Sequence, residues 1–163
     1  MPEPVVESIE DLLHSGFRYA LSLAGDSARA EDLLQDAWLA VLKAKGPQHR
    51  PYLYSAIRSR FLNLNKREKL ISVVSLSDVP ELEGTIEAGN AFDYFDNALL
   101  ERALAQLRCV EREALFLLVV EGYTASEISS FTQQPRGTVL SHIHRAKAKV
   151  RRFFQSNQIG VTQ

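Results

Sequence analysis

Residues 111–153 constrain the fold more than any other stretch, because their pattern predicts two helices separated by a tight turn. An apolar helix is expected to end at Gly122. Thr124 and Glu127 then have the spacing of a capping box, in which the hydroxyl of the first bonds the backbone N–H of the second and the carboxylate reaches back. The helix that follows is expected to break at residues 132–134. Pro135 suits the first turn of the next helix, where its missing N–H would have had no partner.

That next helix combines one apolar face with a basic remainder. Its apolar residues recur at spacings of four and three, which predicts a single buried stripe of Val139, Ile143, Ala146, Val150 and Phe153. The rest of the helix has no acid and carries Arg136, Arg145, Lys147, Lys149, Arg151 and Arg152, with His142 and His144. A short helix, a turn and a basic second helix favour a helix-turn-helix DNA reader. A plain three-helix packing unit with a solvated charged face is the alternative.

The charges of the chain are segregated, although its formal net charge is only −1. Residues 50–70 contain six bases and one acid, and residues 136–152 contain six bases and no acid. Residues 71–101 contain seven acids and no base. Since basic surfaces attract phosphates and acidic segments avoid them, the sequence predicts two nucleic-acid surfaces on either side of an acidic connector.

Several functional classes are disfavoured by what the chain contains. No apolar run approaches the ~20 residues of a membrane span, and the acidic start does not match a signal peptide, so we expect a cytoplasmic protein without membrane insertion. Cys109 is the single cysteine, which excludes an internal disulfide and a multi-cysteine zinc site. The four histidines are scattered, and no phosphate loop or Ser/His/Asp arrangement is evident. We therefore expect no enzyme activity, no cofactor and no metal site.

The periodicity predicts an all-α fold of two small helical domains joined by a flexible acidic linker, with the helix-turn-helix in the second domain. The predicted bounds are 1–70 for the first domain, 71–91 for the linker and 92–163 for the second domain. Within the first domain we expect helices over residues 6–24, 27–45 and 51–69, and a further helix covers 92–107. Ile9, Leu42 and Leu64 are among the residues predicted to face the core.

The second predicted helix carries a polar stripe opposite its core face. Its members lie at positions i, i+3, i+4 and i+7 and are Asp32, Gln35, Asp36 and Leu39. Taken alone, this pattern fits an ordinary solvated face as well as a partner surface.

Three segments together resemble one protein family. Residues 27–39, SARAEDLLQDAWL, resemble the signature of the bacterial sigma-70 superfamily, and residues 52–63, YLYSAIRSRFLN, are similar to the helix that follows it there. Glu127-Ile128 and residues 137–141 resemble the promoter reader of the same family. The resemblance covers about residues 8–70 and 97–153, and the size and two-part organisation match the extracytoplasmic-function (ECF) branch.

The resemblance implies an ECF-type sigma factor that binds the RNA polymerase core and directs promoter recognition, −10 melting and transcription initiation. The stripe Asp32, Gln35, Asp36 and Leu39 would dock on the clamp of the largest polymerase subunit. The −10 element, as single-stranded DNA, would contact Tyr52, Arg58, Arg60, Asn63, Asn65, Lys66 and Arg67. The −35 element, as duplex DNA, would contact Arg136, Thr138, Leu140, Ser141, His144 and Arg145. An anti-sigma factor is a further expected partner.

The sequence also departs from the family pattern. The family's Trp is Tyr52, its Asn is Ser59 and its Asp is Asn63. The usual Leu-Pro before the fifth helix is Leu107-Arg108, and Leu140 and His142 replace the usual bases around Ser141. Two alternatives therefore stay open: a sigma-mimicking protein that sequesters a regulator, and a stand-alone helix-turn-helix regulator that binds palindromic DNA without polymerase.

Overall fold

A computed structural model of the chain describes residues 6–72 and 97–158, and all the regular structure in these two ranges is helical. The chain divides into two compact units, the first built from helices α1 to α3 and the second from α4 to α7. The predicted fold class is thereby confirmed. Most of the predicted linker lies outside the described residues. In the described part, no helix is both long and apolar enough to cross a membrane.

The first unit is a three-helix assembly of α1 (Ile9–Ala24), α2 (Ser27–Lys43) and α3 (Arg50–Ser72). Helix α1 begins at Ile9, three residues later than predicted, because the Ser8 hydroxyl accepts the Asp11 backbone N–H at 3.0 Å and acts as the N-cap. The fully buried rings of Tyr19 and Tyr54 stack with centroids 4.4 Å apart and link α1 to α3. The core of this unit is therefore centred on an aromatic pair.

Gly16 is the point of closest approach inside the first unit. A Cβ atom at this position would lie 2.8 Å from Leu53 Cδ2 of α3 and 2.9 Å from Leu34 Cδ1 of α2. Both distances are shorter than a van der Waals contact, so only a glycine leaves α1 free to pack against both leucines. Ser15, the preceding residue, also ties α1 to α3, because its carbonyl oxygen accepts the Tyr54 hydroxyl at 3.3 Å.

The second unit is built around its last helix. It comprises α4 (Asn97–Ala105), α5 (Cys109–Val119), α6 (Ala125–Thr132) and α7 (Arg136–Gln158), and α7 packs against each of the other three. The predicted capping box starts α6: Thr124 Oγ1 accepts the Glu127 N–H at 3.2 Å, and the Thr124 N–H donates to the Glu127 carboxylate at 2.8 Å. Gln133 closes the turn in the left-handed conformation, with φ of 56°, a role that usually falls to glycine.

Three residues predicted to face the core are exposed instead: Ile9, Leu42 and Leu64. Ile9 is the first residue of α1 and Leu42 lies in the last turn of α2, so both are at the end of a helix. Among residues 50–69 of α3, those that are buried lie in the first half, Leu53, Tyr54 and Ile57, and Leu64 follows them. Helix α3 also continues to Ser72, two residues into the predicted linker. The periodicity of apolar residues predicts which side of a helix faces the core, but not how far along the helix a neighbouring helix covers that side.

We expect Gly16→Ala to lower the free energy of unfolding of the first unit by about 1–3 kcal/mol, the usual range for overpacking a tight core site. Chemical denaturation monitored by the fluorescence of Trp38, the single tryptophan, would measure it. Ser55→Ala, at an exposed position of α3 in the same unit, is the control and should leave the stability nearly unchanged. Wild-type stability in the Gly16→Ala variant would contradict the close packing described here.

Candidate nucleic-acid and protein interfaces

The polar stripe of α2 forms one continuous exposed surface. Asp32, Gln35 and Asp36 are all exposed, and Leu39 keeps 53% of its surface accessible. The opposite side of α2 is buried through Ala30, Leu33, Ala37 and Val41. An apolar side chain half exposed among acids can contribute binding energy to a protein partner, with the acids setting the charge complementarity. Trp38, next to this stripe, is half-buried.

Helix α3 presents most of the predicted −10 residues on one side. Arg60, Asn63 and Arg67 are spaced by three and four residues, and all three are exposed. Lys66 is exposed beside them, and Tyr52 precedes Asn63 by eleven residues, which is about three helical turns. These five side chains form the α3 face. It is a row of cations and an amide with one aromatic ring at its end, a composition suited to single-stranded DNA.

Two predicted −10 residues do not belong to the α3 face. Arg58 and Asn65 are both half-buried and lie on the other flank of the helix, seven residues and so about two turns apart. Arg58 also has an interaction within the protein. The structure therefore does not bring them together with the other five predicted −10 residues.

The single acid among residues 50–70 is turned away from the α3 face. Glu68 pairs with Arg29 of α2, with 3.9 Å between the carboxylate and guanidinium. Both side chains are about half exposed, so this ion pair adds little to stability. The pair matters for the electrostatic potential instead. The negative charge of Glu68 lies next to α2, so it does not reduce the positive potential of the α3 face.

The predicted −35 residues are all exposed on the first half of α7: Arg136, Thr138, Leu140, Ser141, His144 and Arg145. The line running down the middle of this exposed side is made of Gly137, Ser141, His144 and Ala148, three of them small. The Ser141 hydroxyl donates to the Gly137 carbonyl at 3.0 Å, which leaves its oxygen able only to accept. Small residues there allow the helix backbone to approach base edges closely.

The structure corrects the predicted charge distribution of α7 at two residues. His142 is not part of the outward basic surface, since only 9% of it is exposed and it lies on the buried side with Val139 and Ala146. Lys149 is half-buried and donates to the Glu111 carboxylate of α5 at 2.8 Å. The position of His142, three residues after Val139 and four before Ala146, is the signal that could have identified it as buried.

Glu111 is a buried charge with two donors. Its side chain is 1% exposed, and its carboxylate accepts the Arg108 backbone N–H at 2.9 Å as well as the Lys149 ammonium. Burial opposes ionisation, but these bonds and the nearby positive charges outweigh it and lower the pKa of Glu111 below its usual 4.5. The N-terminus of α5 and the middle of α7 are thereby joined through one carboxylate.

The imidazole of His142 is in the opposite situation. Its Nδ1 atom is buried and has no hydrogen-bond partner within the described part of the chain. Burial, followed by the positive charges of Arg108 and Arg145, lowers the pKa of His142 below its usual 6.5, and Glu111 and Glu113 oppose this only in part. The neutral imidazole is therefore the form that fits the folded second unit.

Comparison with known families gives two matches in the order of the chain. Residues 7–70 match the family model described as sigma-70 region 2, and residues 97–150 match the model described as sigma-70, region 4. The first match covers α1 to α3, which carry the stripe and the α3 face, and the second covers the helix-turn-helix.

Individual proteins of the same kind are similar over nearly the whole chain. The ECF RNA polymerase sigma factor SigL of Mycobacterium tuberculosis is 29% identical over 156 residues, which are 90% of this chain and 85% of that protein. The ECF sigma factor SigE of Mycolicibacterium smegmatis is 26% identical over 155 residues, 90% of this chain and 60% of that protein. Among solved structures, the sigma factor RpoE of Bartonella quintana, in complex with the anti-sigma factor NepR, has a similar fold. Its TM-score is 0.68 at 20% identity, over 93% of this chain and 94% of that one.

The depressed pKa of His142 predicts a loss of stability in mild acid. The unfolded chain takes up the proton first, so the contribution of the neutral imidazole is complete above about pH 6.5 and is lost progressively as the pH falls from there through the lower pKa of the folded state. Glu111 takes up protons near its usual 4.5 in the unfolded chain and at a lower pH in the folded state, so a series from pH 7.5 to 5.5 leaves its contribution almost unchanged. We expect the thermal midpoint, followed by circular dichroism, to fall by a few degrees over this series.

His142→Gln should reduce this pH dependence, because the side chain no longer takes up a proton. His144→Gln is the matched control, since His144 is exposed two residues away, and it should retain the wild-type dependence. Equal slopes for wild type and His142→Gln would refute the role given to His142.

Proposed function

Because the chain belongs to the sigma-70 family, in its extracytoplasmic-function branch, we propose that the stripe on α2 binds the polymerase and that α3 and α7 recognise the promoter. Its function is accordingly transcription initiation by RNA polymerase at promoters. The observation that carries the residue assignment is the exposed stripe Asp32, Gln35, Asp36 and Leu39, where an apolar side chain stays accessible within an acidic row. The clamp of the largest polymerase subunit is the proposed docking site.

The α3 face is the proposed −10 surface. Capture of a base outside the stack needs cations for the phosphates and an aromatic or amide group for the base. Arg60, Lys66 and Arg67 supply the cations, Asn63 the amide and Tyr52 the ring. This arrangement supports binding of the non-template strand in single-stranded form and thereby promoter melting. Arg58 and Asn65 would contribute only if α3 presented its other flank.

The exposed first half of α7 is the proposed −35 reader. Leu140 has no hydrogen-bonding group, so its contact with a base is apolar, and the C5-methyl group of thymine is the matching feature of the major groove. The Ser141 oxygen, already donating to Gly137, would accept from an adenine or cytosine amino group. Arg145 would bind phosphate or a guanine edge, with Arg136, Thr138 and His144 flanking this contact.

We further propose that the chain acts in the cytoplasm and is bound by an anti-sigma factor when it is not directing transcription. The solved neighbour from Bartonella quintana is such a sigma factor in complex with NepR, and its fold covers nearly the whole chain. The stripe on α2 and the −10 surface could each be masked in such a complex.

Reversal of one charge tests the polymerase surface. We expect Asp36→Arg to weaken binding to bacterial core polymerase by tenfold or more, because a cation replaces an anion at a complementary interface. Helix content should not change, since Asp36 is exposed. Co-purification and fluorescence anisotropy of the labelled full chain would measure this. Glu10→Arg, the same reversal at an exposed position of α1, should bind as wild type does. Equal affinities for the two variants would exclude the stripe on α2.

Two substitutions on α7 test the −35 reader in a promoter-library selection with reconstituted holoenzyme. Arg145→Ala should cost about 1–3 kcal/mol and relax the preference at one position if the guanidinium contacts a base. A uniform loss across sequences, with a shallower salt dependence, would assign it to phosphate instead. Leu140→Arg should change the preferred −35 sequence. If both variants select the wild-type promoter with wild-type affinity, α7 does not enter the groove. That result would favour the alternative of a sigma-mimicking protein that sequesters a regulator.

A further inference from the structure

The ring of Tyr52 is held by a loop whose residues have no other evident function. Helix α2 ends at Lys43 and α3 begins at Arg50, so the loop spans residues 44–49. Tyr52 lies in the first turn of α3, and its side chain is 37% exposed. It is therefore accessible to a ligand while remaining in contact with the loop.

His49 acts as the N-cap of α3 through its imidazole. Its Nδ1 atom accepts the Tyr52 backbone N–H at 3.3 Å, and its carbonyl oxygen accepts the Leu53 N–H at 3.1 Å. The His49 and Tyr52 rings also meet edge to face, with centroids 6.3 Å apart and an interplanar angle of 86°. One side chain thus fixes both the backbone and the ring of Tyr52.

Gly46 forms the other support of the ring. A Cβ atom at this position would lie 2.4 Å from Tyr52 Cε1 and 2.7 Å from its hydroxyl oxygen. The tyrosine ring therefore lies against the bare Cα of Gly46. Any larger residue would displace the ring, and the displacement would cost little stability because the far end of a side chain is what moves.

We propose that Gly46 and His49 are positioning residues that hold the Tyr52 ring in the orientation that stacks on a base of the −10 non-template strand. This inference rests on the proposed function of the α3 face and adds to it the residues on which the aromatic contact depends. Stacking is sensitive to ring orientation, whereas phosphate contacts from flexible arginines and lysines are not. The two residues therefore act on the single-stranded part of the promoter alone.

The test uses holoenzyme reconstituted from bacterial core polymerase and the full-length chain. The probe is a fluorescent fork-junction DNA of the promoter obtained in the library selection, with duplex −35 and single-stranded non-template −10 segments. Anisotropy gives its Kd, and a duplex carrying only the −35 segment is the control probe. The variants are Tyr52→Ala, Gly46→Ala, His49→Ala and His49→Asn, together with each alanine variant of the loop combined with Tyr52→Ala.

We expect Tyr52→Ala to weaken fork binding by about tenfold, within the range for loss of one stacked base. Gly46→Ala and His49→Ala should each weaken it by about three- to tenfold, with the duplex control unchanged. His49→Asn should recover only part of this loss, because asparagine restores the helix cap but not the edge-to-face contact with the Tyr52 ring. In the Tyr52→Ala background, neither loop substitution should add more than about twofold.

A loop residue with a merely structural role would give a different result, since its loss would persist when Tyr52 is already alanine. Full additivity in the double variants would therefore overturn the inference. So would wild-type fork binding by Gly46→Ala and His49→Ala when Tyr52→Ala is impaired. Wild-type binding by Tyr52→Ala itself would overturn both the inference and the assignment of Tyr52. If the wild-type holoenzyme binds the fork no better than core polymerase does, that result contradicts the proposed function itself, and with it the inference that rests on it.

Discussion

The arrangement of α5 and α7 in the second unit depends on how the buried carboxylate of Glu111 is satisfied. Removing a carboxylate from water is costly unless charged and hydrogen-bonding groups replace the solvent, and Glu111 has both in Lys149 and the Arg108 N–H. Because these two donors lie on α7 and at the start of α5, the carboxylate is satisfied only when both helices are in place. The side of α7 that is left exposed, and that we propose faces DNA, is consequently determined by the bond from Lys149 on its other side to Glu111.

Ion pairs within each unit also determine which basic side chains remain available to bind a ligand. Lys149 is engaged in the interior, whereas Arg136 and Arg145 are left exposed on the first half of α7. On α3, Glu68 is turned to Arg29, so the only acid of that segment does not dilute the α3 face. A formal net charge of −1 is therefore compatible with two strongly basic surfaces. For nucleic-acid binding, the local distribution of charge matters more than its sum.

The sequence predicted the all-helical class, the capping box at Thr124 and Glu127, and the exposed sides of α2 and α7, because these follow from local spacing. It failed at Ile9, Leu42 and Leu64, since a 3.6-residue period does not show where a neighbouring helix stops. The bond between Lys149 and Glu111 joins residues 38 positions apart, and no local pattern reveals it. The contact between Gly46 and the Tyr52 ring could not be predicted for a different reason. A glycine has no side chain whose chemistry suggests a contact, and this one depends on where the tyrosine ring lies in the fold.

The departures from the family pattern alter the DNA-facing chemistry more than the fold. Arg108 replaces the usual proline before α5, and it thereby supplies a backbone N–H that proline lacks and that Glu111 accepts. His142 replaces a base next to Ser141, and its imidazole is buried on the same side of α7 as Val139 and Ala146. Leu140, in contrast, is exposed on the outward side of α7. The first two changes are thus absorbed by the packing of α5 against α7, whereas Leu140 changes only the exposed surface that we propose reads the −35 element. A difference in promoter preference from typical relatives should therefore trace to Leu140 before either of the other two.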